Sequence, residues 1–560
     1  MEENWYICGP TIYNDSHLGH LMTYLYFDVK RRIAILKGKK INYGMNITDI
    51  DDKILNRVKM LYWREKYNEC QKAKNKSKNK KNKKKNKKNK LDKQDKQELE
   101  LVEQNNEQED FNFDNIHDQK NFDKIEKYLL TQKHVKFEEK DLTPSYEIYK
   151  KFITNQEKRF FDDLTSMNIM LPNLIVRVSD IIPDIIEYIL KLIEKGYAYH
   201  SNGSVYFDVM KASKDFKISL IHDDESLSLK DEFNSEKKNK IDFALWKKAK
   251  KYEISFTSPW GQGRVAWHIE CSVIIHKMFE SKLDMHGGGI DLKFPHHHNE
   301  HLQTTAYTGN SNWVKKFVHT SHLHINNDKM SQSLKNFITI KEFMKTYSVR
   351  QIRLLFLKHQ SRQNFELNDF VKNEVIELDK KINRFLLDLK EHYTKNIKLK
   401  GEYDNSDLSF TKLLKLKKDE IREIINHSDI SEDVDDQEEK TSIGTIFKII
   451  QQIMNNSYKY LEIEYNSSII QELYLYLTKL LRDLGLEYEV TALEDKTNDF
   501  KNIIFNIRNH ILKKAQTISS SDLKAALFEI TDWIRDDELA KNGITLVDSF
   551  VDGIRQIKTY

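Results

Sequence analysis

The stretch Trp5-Tyr6-Ile7-Cys8-Gly9-Pro10, with His17-Leu18-Gly19-His20 just beyond it, decides how the rest of this 560-residue chain is read. Trp5 to Cys8 is a short apolar run that reads as a buried strand, and Gly9-Pro10 stops it. From Leu21 to Leu36 apolar residues recur at helical spacing, and Lys40-Ile41-Asn42-Tyr43 reads as a second strand. Strand, loop, helix, strand is the unit of an α/β domain that binds nucleotides outside the carboxyl ends of its strands. His17 to His20 fall where that helix opens. Free amides and the positive end of the helix dipole favour a phosphate there. Two imidazoles add donors, and Gly19 lets backbone and ligand approach closely. A capping or core role is the competing reading of these four residues.

Further along, Ser145 to Leu164 and Ile181 to Gly196 have helical spacing, and Ser204-Val205-Tyr206-Phe207-Asp208 reads as a strand. Residues 222–240 are charged and read as a loop. From Tyr347 to Leu484 the spacing is mostly helical, with a charged break near 427–441. The tail contains a helix from Ser521 onward and then Gly543-Ile544-Thr545-Leu546-Val547. No internal repeat is evident, and this length implies two to four domains.

Net charge is +5, but residues 72–90 hold twelve lysines and no acid, so the remainder is mildly acidic. Any nucleic-acid partner must therefore be read from local patches. Residues 66–140, with their Lys/Asn/Gln-rich centre, read as a mostly disordered insertion that buries too little apolar area to order itself. If so, removing 68–138 leaves catalysis intact. A basic arm that holds RNA by counterion release, or one that docks other proteins, competes with a solvated spacer. No stretch is long and apolar enough for a membrane span, and the opening Met1-Glu2-Glu3-Asn4 reads as neither a secretory nor a transit signal. Three cysteines, Cys8, Cys70 and Cys271, exclude a disulfide framework and fit a reducing compartment.

Three segments carry metal-binding residue types. Pro295 suits the first position of a helix, which puts His296 and Glu300 one turn apart on one face. His297 and His301 are spaced identically, and spacing does not choose between the pairs. Cys271 falls on a helix over Trp267 to Phe279, and Cys8 ends the first strand. Histidines that cap a helix, and cysteines that merely fill a core, are the plain alternatives. A further loop, Lys329-Met330-Ser331-Gln332-Ser333 with Lys335, sets a cation among small hydroxyl residues and could clamp a pyrophosphate.

His17 to His20 and Lys329 to Ser333, in this order with an α/β half before and a helical half after, resemble the two signatures of class I aminoacyl-tRNA synthetases. The strings around them are similar to the cysteinyl-tRNA synthetase family. They are Cys8-Gly9-Pro10-Thr11-Ile12-Tyr13, Asn46-Ile47-Thr48-Asp49-Ile50-Asp51-Asp52-Lys53, Trp267-His268-Ile269-Glu270-Cys271, His286-Gly287-Gly288-Gly289-Ile290-Asp291 and Phe294-Pro295-His296-His297. Leu334-Lys335-Asn336-Phe337-Ile338-Thr339-Ile340 and Ile534-Arg535-Asp536-Asp537-Glu538-Leu539 to Asp548 also fit. Ser201-Asn202-Gly203-Ser204-Val205-Tyr206-Phe207 and the lysine-rich insertion resemble a eukaryotic form. The resemblance covers nearly the whole chain apart from the insertion and parts of the helical region.

The resemblance implies an α/β fold: a Rossmann-like catalytic domain with inserted segments over 1–345, the insertion at 66–140, a helical stem-contact and bundle region over 346–484, and a tRNA- or anticodon-binding region over 485–560. It implies a cytoplasmic cysteine–tRNA ligase that uses ATP with Mg²⁺ to make cysteinyl-adenylate from L-cysteine and then charges the 3′ end of tRNA-Cys. If the insertion docks proteins, other synthetases are the candidates. It carries Cys8, Cys271, His296 and Glu300 over as ligands of one Zn²⁺. His17, His20 and Lys329 become catalytic phosphate contacts. Gly19, His286, Gly287, Gly288, Asp291, Lys329 and Gln332 surround ATP, while Thr48 and Trp267 line the cysteine pocket. The amino-acid carboxylate is the nucleophile, so catalysis rests on positioning and charge stabilisation. Gln332 stands where the family has lysine, which removes a charge that would face the triphosphate. His298 stands where the family has an acidic residue. Two other functions compete: a cysteine ligase acting on a small amine, against which the helical half argues, and a catalytically impaired tRNA- or protein-binding paralogue, motivated by Gln332. Pyrophosphate exchange with cysteine, then addition of tRNA, discriminates all three.

Overall fold

The structure, a computed structural model, describes residues 2–88, 111–132, 135–219, 236–325, 328–330, 337–358, 365–395, 404–427, 443–463, 465–488, scattered positions from 521 to 530, 546–551 and 554–559. Gln332 and its neighbours Ser331, Ser333 and Lys335, the centre of the 222–240 loop, the low-complexity centre of the insertion, the 428–441 break and Ile534 to Gly543 lie outside the described residues. The chain divides into two compact units. The first is Met1–Thr23, Lys40–Thr165 and Met170–His322; the second is Tyr24–Lys39, Ser166–Ile169 and Leu323–Tyr560.

The first unit is built on a parallel five-stranded sheet. Its strands are β1 (Glu2–Ile7), β2 (Lys40–Ile47), β3 (Leu174–Arg177), β9 (Met285–Gly289) and β10 (Phe317–Thr320), in the order β10-β9-β1-β2-β3. In register, Trp5 faces Tyr43 on one side and Met285 on the other. Trp5, Tyr6 and Ile7 are fully buried, as expected for a central strand of a sheet covered on both faces. After β1 the sheet grows one way through α1 (Leu18–Leu36) to β2 and later the other way to β9. The carboxyl end of β1, where Cys8 sits, is therefore the switch point at which open α/β sheets gather ligands.

Between β2 and β3 come α2 (Asp52–Lys88), α3 (Gln119–Leu130) and α4 (Tyr146–Ser166). For the described parts of 66–140, residues 66–88, 111–132 and 135–140, this corrects the expectation of disorder. The helix α2 runs through the lysine-rich sequence to Lys88. Cys70, Ile116, Phe122, Ile125 and Leu129, all inside the expected disordered stretch, form one buried apolar cluster with Met60, Trp63, Leu142 and Tyr252. Phe122, Ile125 and Leu129 recur at spacings of three and four, so α3 offers one apolar stripe. Asp118 caps it by accepting from the Asn121 amide at 3.2 Å. Trp63 Nε1 donates to the Leu142 carbonyl at 2.8 Å, which satisfies the indole inside the cluster. Each such large side chain stabilises by roughly 1.5–3 kcal/mol on burial.

The rest of the first unit comprises α5 (Ile182–Glu194), the strands β4 (Ala198–Ser201) and β5 (Ser204–Phe207), α6 (Val209–Phe216), then β6 (Phe243–Lys248), β7 (Phe256–Ser258) and β8 (Gly261–Val265). These strands form an antiparallel sheet in the order β4-β5-β6-β8-β7. After β8 comes α7 (Trp267–Phe279), which carries Glu270 and Cys271. A wide turn over Lys293–His297 leads into α8 (His298–Thr308). Phe294 in that turn is extended, at φ −138° and ψ 135°, so helical geometry starts only after it, at Pro295. This agrees with the expected place of that proline.

The second unit is largely helical where described. It contains α9 (Ile340–Phe343), α10 (Val349–Lys358), α11 (Asp369–Lys395), α12 (Asn405–His427), α13 (Ile443–Leu461) and α14 (Ser467–Asp483). A small sheet orders β12 (Asp328–Lys329), β11 (Leu323–Ile325) and β13 (Phe365–Glu366). A hairpin pairs β14 (Leu546–Val551) with β15 (Ile554–Thr559). Arg353 on α10 is fully buried. Its Nη2 donates to Asp28 at 2.7 Å, and its Nη1 donates to the carbonyls of Met167 and Asn168 at 2.8 and 2.9 Å. Gly485, at φ +83°, leaves that guanidinium its room, since a Cβ there would lie 2.0 Å from Nη2. Among the described residues no helix is long and apolar enough to cross a membrane.

Candidate metal centre and nucleotide-contact residues

The four expected metal ligands meet. Cys8 arrives from the end of β1, Cys271 from α7 one turn after Trp267, and His296 and Glu300 from the entry to α8. Cys8 Sγ and Cys271 Sγ are 3.8 Å apart, and Cys271 Sγ is 3.5 Å from His296 Nε2. Two sulfurs on a tetrahedral zinc stand about 3.8 Å apart, given a Zn–S distance of ~2.3 Å. Glu300 Oε1 lies 2.8 Å from His296 Nε2, as the spacing of four on a helix requires. That approach is close without being aligned as a hydrogen bond, and among the described residues Oε1 has no hydrogen-bond donor. A buried carboxylate oxygen left in this way is what a cation would satisfy. All four side chains are buried, and their donor atoms lie within 4.8 Å of one another.

A second set, Cys8, His286, His297 and Glu300, meets the same spacing and shares two members with the first. His297 Nε2 is 3.4 Å from Cys8 Sγ, and His286 Nε2 is 2.7 Å from Glu300 Oε2. The rival pair His297 and His301 is therefore split: His297 joins a donor set and His301 joins neither. His298 also stands outside both, and burial followed by the nearby His301 lowers it to about 4.

The electrostatics follow from packing ionisable groups without water. Burial works against ionisation of both thiols. At Cys8 the contact with Cys271 and the imidazoles of His297 and His296 outweigh it and hold the thiol well below its usual range. Cys271, buried beside an ionised Cys8, is pushed up. Burial likewise opposes charge on His296 and Glu300, but each stabilises the other. His296 rises to about 10, and Glu300, which also faces His286, falls well below the carboxylate range. Two thiolates, an imidazole and a carboxylate suit zinc. Outside them, His268 Nδ1 lies 3.2 Å from His296 Nδ1, and the Trp267 ring stacks on the His296 imidazole at 4.5 Å.

Of the expected substrate residues, Thr48 is turned inward, and its hydroxyl donates to Glu270 at 2.5 Å. Trp267 is 38% exposed, with its ring stacked on the His296 imidazole. His17 and His20 stack at 3.7 Å at the start of α1, and His17 Nδ1 accepts from the His20 amide at 3.4 Å. This contact is the one that the capping reading of His17 calls for, and it leaves Nε2 for the phosphate reading. Burial lowers His17 to about 4 and His20 further, so both are neutral near pH 7. In β9 the imidazole of His286 is fully buried and turned to Glu300, while the Gly287 carbonyl accepts from the Cys8 amide at 2.9 Å. Gly288 is buried, and a Cβ there would lie 2.7 Å from the Leu292 side chain, whereas Asp291 is exposed. Gly19 gives its carbonyl to the Thr23 hydroxyl. The backbone of Lys329 lies in β12 of the second unit.

Sequence reasoning did not single out Glu270, Asn46, His268 or His319, and it met His297 only as half of the rival pair with His301. Glu270 precedes Cys271 and Asn46 opens a quoted motif, so both were in view without a role. His297 and His319 meet at 2.8 Å through the fold alone.

Residues 1–378 match the family described as tRNA synthetases class I (C) catalytic domain. A cytoplasmic cysteine–tRNA ligase of Gallus gallus is 31% identical over 97% of this chain and 78% of its own length. The Homo sapiens cytoplasmic cysteine–tRNA ligase is 30% identical over 97% of this chain and 78% of its own. In fold, the chain is similar to a Mycobacterium tuberculosis methionyl-tRNA synthetase solved with methionyl-adenylate. The TM-score is 0.50 at 11% identity, covering 86% of this chain and 90% of that one.

Proposed function

Because this chain belongs to the cysteine–tRNA ligases of the class I aminoacyl-tRNA synthetases, we propose that it activates L-cysteine with ATP and Mg²⁺ and transfers it to the 3′ end of tRNA-Cys. A carboxylate oxygen of cysteine attacks the α-phosphorus, and the bond to the bridging oxygen breaks. Pyrophosphate leaves with that electron pair. The terminal ribose hydroxyl of the tRNA then attacks the activated carbonyl, loses its proton, and AMP departs. No protein nucleophile is required, so the chain's work is orientation and charge stabilisation. His17 supports this as a neutral donor: its Nδ1 is engaged by the helix backbone, so its proton sits on Nε2, free to meet a phosphate oxygen. His20 continues the same stack.

The finer reading is that Cys8, Cys271, His296 and Glu300 hold one zinc ion. Bound there, zinc would offer a position that takes the substrate sulfur as thiolate and gains little from a serine hydroxyl. A pocket shaped by size alone separates such close analogues by only about 1–3 kcal/mol. The observation that carries the reading is the Sγ–Sγ distance of 3.8 Å beside an undonated, buried Glu300 Oε1. Pyrophosphate exchange with cysteine and with serine, alongside the zinc content of the purified chain, tests it. About one zinc per chain with exchange only for cysteine supports it. Full cysteine selectivity in zinc-free protein refutes it. Exchange absent altogether favours the impaired paralogue suggested by Gln332, and exchange without transfer to tRNA favours a small-amine ligase. The reading puts the enzyme in the cytoplasm, supported by the names of its relatives. It gives the basic end of α2, eleven lysines without an acid over 71–88, to the RNA backbone.

A further inference from the structure

Cys8 and Cys271 are 263 positions apart in sequence and belong to different elements, yet their sulfurs stand 3.8 Å apart. A directional chain of hydrogen bonds runs behind them. The Gly9 amide donates to Asn46 Oδ1 at 2.7 Å. Asn46 Nδ2 donates to Thr48 Oγ1 at 3.0 Å. Thr48 Oγ1 donates to Glu270 Oε1 at 2.5 Å. The chain starts on the residue after one cysteine and ends on the residue before the other. Asn46, Thr48 and Glu270 are each no more than 2% exposed, so water does not replace these bonds. The loop beyond Cys8 is also pinned through its backbone: the Thr48 amide donates to the Pro10 carbonyl at 3.2 Å and the Ile12 amide to the Thr48 carbonyl at 3.3 Å. A Cβ on Gly9 would stand 1.7 Å from the Asn46 carbonyl oxygen, so only glycine lets the loop come this close. None of these three side chains belongs to either donor set.

We infer that Asn46, Thr48 and Glu270 are positioning residues that hold Cys8 and Cys271 at the separation a shared cation requires. The inference rests on the zinc reading above. Groups that orient metal ligands typically change metal affinity by about 10–100-fold when removed. Glu270 suits the end of such a chain because its carboxyl is fixed one residue from the Cys271 ligand, at the first turn of α7.

The test uses full-length protein, stripped of metal and reloaded; the metal measurements are made with no cysteine present, and pyrophosphate exchange with cysteine is read separately. Zinc affinity is measured by competition with a chromophoric chelator, and the thiolate-to-cobalt absorption band is recorded after Co²⁺ loading. Thr48→Val removes the last two of the three bonds. It is expected to weaken zinc by about 10–100-fold and to shift or weaken the cobalt band. Thr48→Ser, which keeps the hydroxyl, restores both. Glu270→Gln, which keeps an acceptor for Thr48, falls between them and serves if Thr48→Val does not fold. Unchanged zinc affinity and an unchanged cobalt band in a folded Thr48→Val, or in Glu270→Ala, overturn the inference. A Thr48→Val that raises only the KM for cysteine also overturns it and makes Thr48 a substrate contact. A wild-type chain that binds no zinc overturns the metal reading itself.

Discussion

Around Cys8 the interior of the first unit is ionisable, and around Trp63 it is apolar. The first cluster packs two thiols, imidazoles and a carboxylate out of contact with water. The second packs Met60, Trp63, Cys70, Ile116, Phe122, Ile125, Leu129 and Leu142. Burial opposes the charged groups of the first, which are stabilised by facing one another. Burial is itself the driving force of the second. Two kinds of core can thus share one unit, one fixing chemistry and the other fixing the chain that carries it. The same residue type serves both: Cys8 and Cys271 face each other, while Cys70 is a small apolar group among aromatic rings.

The largest expected effect falls on the ionisable cluster. Cys271→Ser should lose zinc and reduce cysteine activation by more than about 100-fold, read by metal content and pyrophosphate exchange, with the unfolding of the Trp63 cluster little changed. A variant that keeps both metal and exchange would break the contrast. Trp63→Ala should show the converse. It should cost about 3–5 kcal/mol in urea unfolding while the purified protein keeps its zinc; loss of zinc at unchanged stability would mean that the two clusters are one.

Acid sharpens the difference further. Burial holds His17 and His319 at about 4 and about 3 in the folded chain, against 6.5 for an open histidine. The unfolded chain therefore takes up more protons as pH falls below 6.5, and stability falls with it until the folded values are reached. Each histidine contributes up to about 1.4 kcal/mol per pH unit. Urea midpoints should be lower at pH 5.5 than at pH 7, and His17→Asn should flatten that slope. Equal midpoints for the wild type would contradict the buried, neutral histidines. The smallest effect is expected from removing 89–110, which should leave cysteine activation unchanged in pyrophosphate exchange. The wider deletion 68–138 takes away Cys70, Ile116, Phe122, Ile125 and Leu129 and should leave the protein unfolded or insoluble. If the wider deletion is as active as the narrower, the apolar cluster does not support the unit.

The two clusters also differ in how far they could be read in advance. The βαβ order and the helical second half follow from local strings, because each carries its own signal, an apolar run or a recurring spacing. The first set of metal donors comes from the family resemblance, since a spacing of four fits His296 with Glu300 and His297 with His301 alike. The Trp63 cluster was hidden because the lysine-rich centre of the insertion dominates its composition, while Phe122, Ile125 and Leu129 form a short stripe on a charged helix. Their partners, Trp63 and Tyr252, are far off in sequence. The second donor set was hidden for a different reason. His286 and His297 meet Cys8 and Glu300 only because β9 pairs with β1, and no spacing within the chain encodes that pairing.

The helix α2 starts at Asp52, which pairs with the buried Arg264, and does not break before Lys88. The Asp52 end of the family-like string and the start of the insertion are thus turns of a single screw. Its angular phase is shared: each residue added or removed between Trp63 and Cys70 rotates everything beyond by about 100°. A chimera that exchanges the insertion between relatives must therefore match the junction modulo the helical repeat. Indels of three or four residues would turn Cys70 back toward its aromatic neighbours, whereas a two-residue indel would aim it at solvent and swing the lysine arm to the opposite side.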